Sequence, residues 1–273
     1  MTTAVLIHGF SGSPKSWRSV RARLEVASYA PAVCGHGGGH PTAPTVPPGR
    51  SFEAEVDRLA SLIGKTAPAP RYLAGYSLGG RLALALLVRH PRLFAGATLI
   101  GANPGIGDEG ERAERREADG KWARLIEERG LDEFDLEWSR LSLFASQSRL
   151  EPGVLEEQRR IRLGHDRAVL ASAMRTLSLG AMPDYRLSLS SISCPVELIV
   201  GSLDSKFIGL ARKMAGVFPA ATVRVVDGVG HNVPLEAPAR LAGLLNAAAG
   251  RTLRGRSGDG SRCSVADRRR RGG

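Results

Sequence analysis

Gly75-Tyr76-Ser77-Leu78-Gly79 is the stretch on which the fold turns. It has the form G-x-S-x-G. It follows the apolar run 72–74 and opens a helical pattern over about 78–89, which His90-Pro91 ends. A serine placed between a strand and a helix must sit on a tight, strained bend if its hydroxyl is to stand clear of the sheet. Glycine at 75 and 79 removes Cβ atoms that would collide in such a bend. The pentapeptide alone is common by chance; the strand before it and the helix after it make it informative.

Outward from this turn, short apolar runs alternate with helical periodicity. The runs 4–7, 72–74, 97–100, 196–200 and 222–226 read as buried strands, since a parallel sheet covered on both faces needs near-continuous apolar strands. Ser51 is placed to cap a helix with Phe52, Val56, Leu59, Ala60 and Ile63 on one face. Between about Asn103 and Leu189 the alternation stops, and a charged, mostly helical stretch intervenes before Cys194-Pro195. The expected class is therefore α/β: a mostly parallel sheet flanked by helices, built from residues 1–102 and 191–250, with a helical cap inserted at 103–190. Periodicity ends after Gly250, and residues 251–273 read as a disordered basic tail.

A serine hydroxyl is a poor nucleophile unless a histidine takes its proton and a carboxylate orients that histidine. The strand-turn-helix context predicts the chain order serine, acid, histidine. His231 lies in Gly-Val-Gly-His-Asn directly after the strand 222–226, where such a histidine belongs. The preceding strand runs into Gly201-Ser202-Leu203-Asp204, which makes Asp204 the expected acid. Asp227 is the rival, but it is only four residues before His231, and Asp184 falls in the cap. Two backbone N–H groups should hold the developing anion: that of Leu78 after the serine, and that of Phe10 in the loop His8-Gly9-Phe10-Ser11-Gly12. His8 and His36 read as hydrogen-bonded loop-shaping residues and not as proton carriers.

The 273 residues carry 38 basic and 27 acidic side chains, a net charge of +11. Of that excess, +6 falls in residues 251–273, so the rest of the chain gives no nucleic-acid signal. Cys34, Cys194 and Cys263 form no CxxC pair, so neither a zinc site nor a redox dithiol is expected, and metal is absent from the expected site. No run approaches the 18 apolar residues of a membrane span, and the N-terminus lacks the pattern of a signal peptide, so the cytoplasm is the expected compartment. No sequence feature sets an oligomeric state.

Arg112, Arg115, Arg116, Arg124 and Arg129 lie among many Glu in the cap. Most belong to solvated i,i+4 pairs. One or two facing the cleft would select a carboxylate-bearing substrate through forked hydrogen bonds, as would Arg81, one turn after Ser77.

With these residues in place, the chain resembles the 2-succinyl-6-hydroxy-2,4-cyclohexadiene-1-carboxylate synthases of menaquinone biosynthesis, which have the α/β-hydrolase fold. The resemblance runs over about residues 4–245. It rests on His8-Gly9-Phe10-Ser11-Gly12, Gly35-His36-Gly37, Gly75 to Arg81, Asn103-Pro104-Gly105-Ile106 with Glu111-Arg112-Ala113-Glu114-Arg115, Trp122, Trp138 with Leu143-Phe144-Ala145-Ser146, Gly201 to Phe207, and Gly230-His231-Asn232. It departs from the family at Cys34, Ser139 and Pro234. It implies a carbon–oxygen lyase that eliminates pyruvate from 2-succinyl-5-enolpyruvyl-6-hydroxy-3-cyclohexene-1-carboxylate with a Ser-His-Asp triad. It further implies substrate contacts from Tyr76, Arg81, Arg115 and Trp138, a small polycarboxylate as partner, and no metal or organic cofactor. The same catalytic residues also suit a serine esterase or thioesterase acting on a small carboxylated substrate, and the cap alone separates the two readings.

Overall fold

The structure, a computed structural model, describes residues 2–37 and 51–257, with the side chains of 252–257 left out. Six strands form one parallel sheet: β1 (Thr3–Ile7), β2 (Ala27–Tyr29), β3 (Arg71–Tyr76), β4 (Gly96–Ile100), β5 (Val196–Gly201) and β6 (Ala221–Val226), in the order β2-β1-β3-β4-β5-β6. Every residue of β1, β4 and β5 is buried, which explains their near-continuous apolar character, interrupted by Thr3, Thr98 and Glu197. The edge strand β2 escapes a sequence reading because it is three half-exposed residues, Ala-Ser-Tyr, with no apolar run.

Side chains alternate between the two faces of the sheet. Val5, Ile7, Leu73, Leu99, Leu198 and Val200 pack under α2 (Phe52–Thr66), α3 (Leu78–Arg89) and α7 (Ser205–Ala215). Ala4, Leu6, Tyr72, Ala74, Ile100 and Ile199 face α1 (Arg18–Arg21), α8 (Val233–Glu236) and α9 (Pro238–Ser257). The Ser51 hydroxyl accepts from the Ala54 N–H at 3.2 Å and caps α2, whose Phe52, Val56, Leu59, Ala60 and Ile63 are all buried.

Between β4 and β5 the chain forms α4 (Glu109–Ser139), α5 (Pro152–Leu163) and α6 (Arg167–Thr176). Helix α4 is broken at Gly130, whose φ of 87° lies outside the helical region. Ala123, Ile126, Phe134, Leu170, Ala171 and Met174 make a separate small core there. The helices stand over the C-terminal ends of β3, β4 and β5, the end of an open α/β sheet at which ligands bind.

One boundary differs from the sequence reading. Helix α9 continues through Ser257, so residues 251–257 are helical and not part of a disordered tail. The apolar pattern fades there, but Arg251 is tied to the sheet by an ion pair to the buried Glu197 at 2.5 Å. The rest of the expected tail, residues 258–273, lies outside the described residues.

Candidate active site

Strand β3 ends at Tyr76 and α3 starts at Leu78, so Ser77 takes the whole bend, with φ 52° and ψ −110°. A non-glycine residue holds such a conformation only where its surroundings over-determine it. The Ser77 N–H donates to Ile100 O on β4 at 2.8 Å. A Cβ at Gly75 would overlap the carbonyl of Gly79, and one at Gly79 would overlap that of Ile7. Both glycines are needed because the first turn of α3 lies directly against β1 and β3.

Asp204 follows β5 and His231 follows β6, on neighbouring strands of the sheet. His231 Nδ1 is 2.7 Å from Asp204 Oδ2, and His231 Nε2 is 3.1 Å from Ser77 Oγ. An ionised carboxylate only accepts, so Nδ1 carries the ring proton. Nε2 is thereby left as the acceptor for the serine hydroxyl. His231 is held on several sides. Phe207 lies 4.4 Å from its ring and Tyr76 5.4 Å. Glu236 accepts from the N–H of Gly230 at 2.8 Å and of Asn232 at 3.1 Å, the residues on either side of it. Asp227, the sequence-level rival, takes no part in this hydrogen-bonded chain; its backbone carbonyl accepts from Arg240.

Phe10 and Leu78 line the same cavity as Ser77, and neither backbone N–H has an acceptor among the described residues. The orientation of the Phe10 N–H follows from peptide planarity. The carbonyl of Gly9 shares its plane and points the opposite way. That carbonyl is fixed by the Gly12 N–H at 3.1 Å and by His8 Nδ1 at 2.9 Å. His8 Nε2 accepts from the Val33 N–H at 3.2 Å, which assigns the proton to Nδ1. Burial lowers the His8 pKa to about 4, so its ring is neutral at pH 7. His36 is likewise buried, with Nδ1 3.0 Å from Cys34 O, and burial holds its pKa well below the usual value. Both histidines are structural.

The cavity at Ser77 measures about 450 Å³ and is also lined by Arg81, Arg115, Trp138 and Lys206. Arg81 donates to Leu177 O at 2.9 Å, and burial lowers its guanidinium pKa to about 10, still charged at neutral pH. Arg115 is paired with the buried Asp119 at 2.8 Å, and Asp119 also accepts from the Ser178 hydroxyl at 2.7 Å. Tyr76 is placed differently. It lines an adjoining cavity of about 300 Å³, on the far side of Phe10, Trp138 and Phe144, which border both spaces. Burial pushes its phenol well above the usual value. Sequence reasoning assigns no role to Asp119, Lys206 or Glu236. The i,i+4 spacing of Arg115 and Asp119 is a legible signal, Lys206 lies in the family-like segment Gly201 to Phe207, and nothing local marks Glu236.

These features define a class. Residues 4–244 match the alpha/beta hydrolase family, and the chain belongs to that family. Within it, the chain is similar to the 2-succinyl-6-hydroxy-2,4-cyclohexadiene-1-carboxylate synthase of Salmonella paratyphi C (strain RKS4594), at 34% identity over 86% of this chain and 88% of that relative. The synthase of the same name from Salmonella agona (strain SL483) is 35% identical over the same shares. Among solved structures, MenH from S. aureus superposes with a TM-score of 0.86 at 24% identity, covering 92% of this chain and 94% of that one, which bears on the fold.

Proposed function

We propose that this chain is a lyase that eliminates pyruvate from 2-succinyl-5-enolpyruvyl-6-hydroxy-3-cyclohexene-1-carboxylate, giving 2-succinyl-6-hydroxy-2,4-cyclohexadiene-1-carboxylate. The observation that carries this reading is the meeting of a Ser77–His231–Asp204 chain with three cationic side chains, Arg81, Arg115 and Lys206, around one cavity. The substrate bears three carboxylates. Kinship at 34–35% identity with synthases of that name supports the same assignment.

The chemistry follows from the two structures. Forming the 2,4-diene from the 3-ene removes a proton from C2 and the enolpyruvyl oxygen from C5. The C2 proton is acidic because the adjacent succinyl ketone takes up the charge. Ser77 Oγ, with its own proton passed to His231 Nε2, is the base. Asp204 holds His231 in the tautomer that can accept. The ketone oxygen becomes enolate-like and is held by the N–H groups of Phe10 and Leu78. One such donor contributes about 3–4 kcal/mol of transition-state stabilisation. Return of the electron pair shifts the ring double bond and breaks the C5–O bond. Pyruvate leaves as its enolate, which takes a proton. No ester is formed or cleaved.

Arg81 and Arg115 hold carboxylates and Trp138 covers the ring, while Tyr76 acts from the adjoining cavity through its packing on His231. No helix among the described residues is long and apolar enough to cross a membrane, and we place the reaction in the cytoplasm. Following diene absorbance and pyruvate together tests the reading. The expected result is one pyruvate per diene, with feeble turnover of p-nitrophenyl acetate. Efficient ester hydrolysis without pyruvate would assign the same residues to a hydrolase.

A further inference from the structure

We infer that His165, in the cap between α5 and α6, is a positioning residue for the oxyanion hole, acting through Ser11. Ser11 follows Phe10 and has a φ of 55°, one of two non-glycine residues with positive φ among those described; the other is Ser77. A serine in the left-handed region is strained and reverts unless something holds it. Within residues 8–12 the turn is closed on Gly9, not on Ser11: the Gly12 N–H and His8 both meet the Gly9 carbonyl.

What holds Ser11 comes from the cap. His165 Nε2 lies 3.1 Å from the Ser11 carbonyl oxygen, so Nε2 carries the ring proton and donates it there. Arg162 Nε donates to the Ser11 hydroxyl at 3.2 Å. Arg162 is itself anchored on the end of α4, by an ion pair with the buried Asp135 and a 2.8 Å hydrogen bond to Ser139 Oγ, beside Trp138. His165 is buried and packs edge-on to His36 at 5.7 Å, and His36 packs in turn on the Phe10 ring at 5.1 Å. Its Nδ1 has no hydrogen-bond partner among the described residues, so the ring is held by the backbone of Ser11 and, more weakly, of Gly12, and by packing.

The Ser11–Gly12 peptide plane is thus held at both ends: its carbonyl accepts from His165, and its N–H, that of Gly12, donates to the Gly9 carbonyl that sets the plane of the Phe10 N–H. The core fixes the Gly9 carbonyl, and the cap fixes Ser11. Without His165 the Ser11 carbonyl loses its donor and Ser11 relaxes toward negative φ; the Gly12 N–H then leaves the Gly9 carbonyl, and the Phe10 N–H, in the same plane as that carbonyl, turns away from the cavity. The cap therefore takes part in catalysis beyond contacting substrate, because an oxyanion donor on the core depends on it.

This inference rests on the reading of the Phe10 N–H as an oxyanion donor, and the test separates the two. His165→Leu and His165→Gln are compared in pyruvate release and in phosphonylation of Ser77 by a fluorophosphonate. In that probe reaction Ser77 Oγ displaces fluoride through an anionic transition state seated in the same hole, whatever the natural substrate. His165→Leu should lower both kcat and the phosphonylation rate constant about 10- to 100-fold, with KM within about twofold, a fraction of what outright loss of a donor costs. His165→Gln keeps an N–H donor and should stay within about threefold of wild type, by the same reasoning. Unchanged rates in His165→Leu would overturn the inference. Equal losses in both variants, with matching falls in Tm, would also overturn it and assign His165 to cap folding. If the wild type releases no pyruvate while phosphonylation still separates Leu from Gln, the substrate reading fails and the role of His165 stands.

Discussion

His231 Nε2 lies 3.1 Å from Ser77 Oγ across 154 positions of sequence, and the Asp204 carboxylate 2.7 Å from Nδ1 fixes which nitrogen accepts. The arrangement is strained at Ser77, tight at Gly75 and Gly79, and braced around His231 by Phe207 and Glu236. The fold thus keeps the Ser77–His231–Asp204 hydrogen-bonded chain preassembled at a cavity that Arg81, Arg115 and Lys206 also line.

Asp204→Asn should preserve the geometry and spoil the tautomer. An amide can donate to Nδ1 and so leave the ring proton on Nε2, facing the serine. A loss of about 10³- to 10⁴-fold in kcat is expected, with Tm close to wild type. Activity within tenfold of wild type would show that Asp204 does not govern the His231 tautomer.

Gly101→Ala should damage catalysis from outside the triad. Its φ is +54°, and an added Cβ would sit 2.8 Å from His231 Cε1. Moving the ring even slightly should cost at least about tenfold in kcat, together with about 1–2 kcal/mol of stability for the unfavourable φ. Gly64→Ala is the matched control. It lies in α2 with nothing within 4 Å of the added Cβ, and should raise stability by about 0.5–1 kcal/mol without touching kcat. Denaturant midpoints and kcat for the two variants check both expectations.

The sequence revealed the parts that are local. The elbow was legible because strand, glycines, serine and helix adjoin. Asp204 and His231 were legible because each follows an apolar run. The edge strand β2 was not, since three half-exposed residues carry no period. The last turns of α9 were missed because an ion pair to Glu197 holds Arg251 where no apolar face does. The braces on the oxyanion loop were also invisible. Ser11 meets Arg162 and His165 across 151 and 154 positions, and no pattern at either end announces the contact.

Arg115→Ala should raise KM strongly, with a smaller effect on kcat, because a forked carboxylate partner is lost. Arg115→Lys should restore it only in part. The Ala variant also leaves the buried Asp119 with the Ser178 hydroxyl as its remaining hydrogen-bond donor among the described residues. Because Arg115 is 41% exposed, the stability cost should be modest, about 1 kcal/mol. Steady-state kinetics and urea unfolding separate the two effects; unchanged kinetics in the Ala variant would make Arg115 a partner of Asp119 alone.

Stability should fall with acid between about pH 6.5 and 4. His8 titrates at 6.5 in the unfolded chain and at about 4 in the fold, and burial lowers His36 and His165 in the same direction. The unfolded state therefore binds protons first, and folding stability present above pH 6.5 is lost as pH drops toward the native values. Each such histidine contributes a slope of up to about 1.4 kcal/mol per pH unit. Urea unfolding at half-unit steps from pH 7.5 to 4.5 should show this decline, and His165→Gln should make it shallower. A flat profile would mean that these rings accept protons within the fold.

The most direct test of the central claim is the rate of pyruvate release from the enolpyruvyl-cyclohexene substrate by wild type and Ser77→Ala, run beside p-nitrophenyl acetate hydrolysis. The account predicts rapid pyruvate release by the wild type, weak esterase activity, and loss of at least about 10³-fold of the former in Ser77→Ala. Pyruvate release that survives the substitution would contradict the assignment of Ser77 as the base. No pyruvate from the wild type, with brisk ester turnover, would contradict the lyase itself.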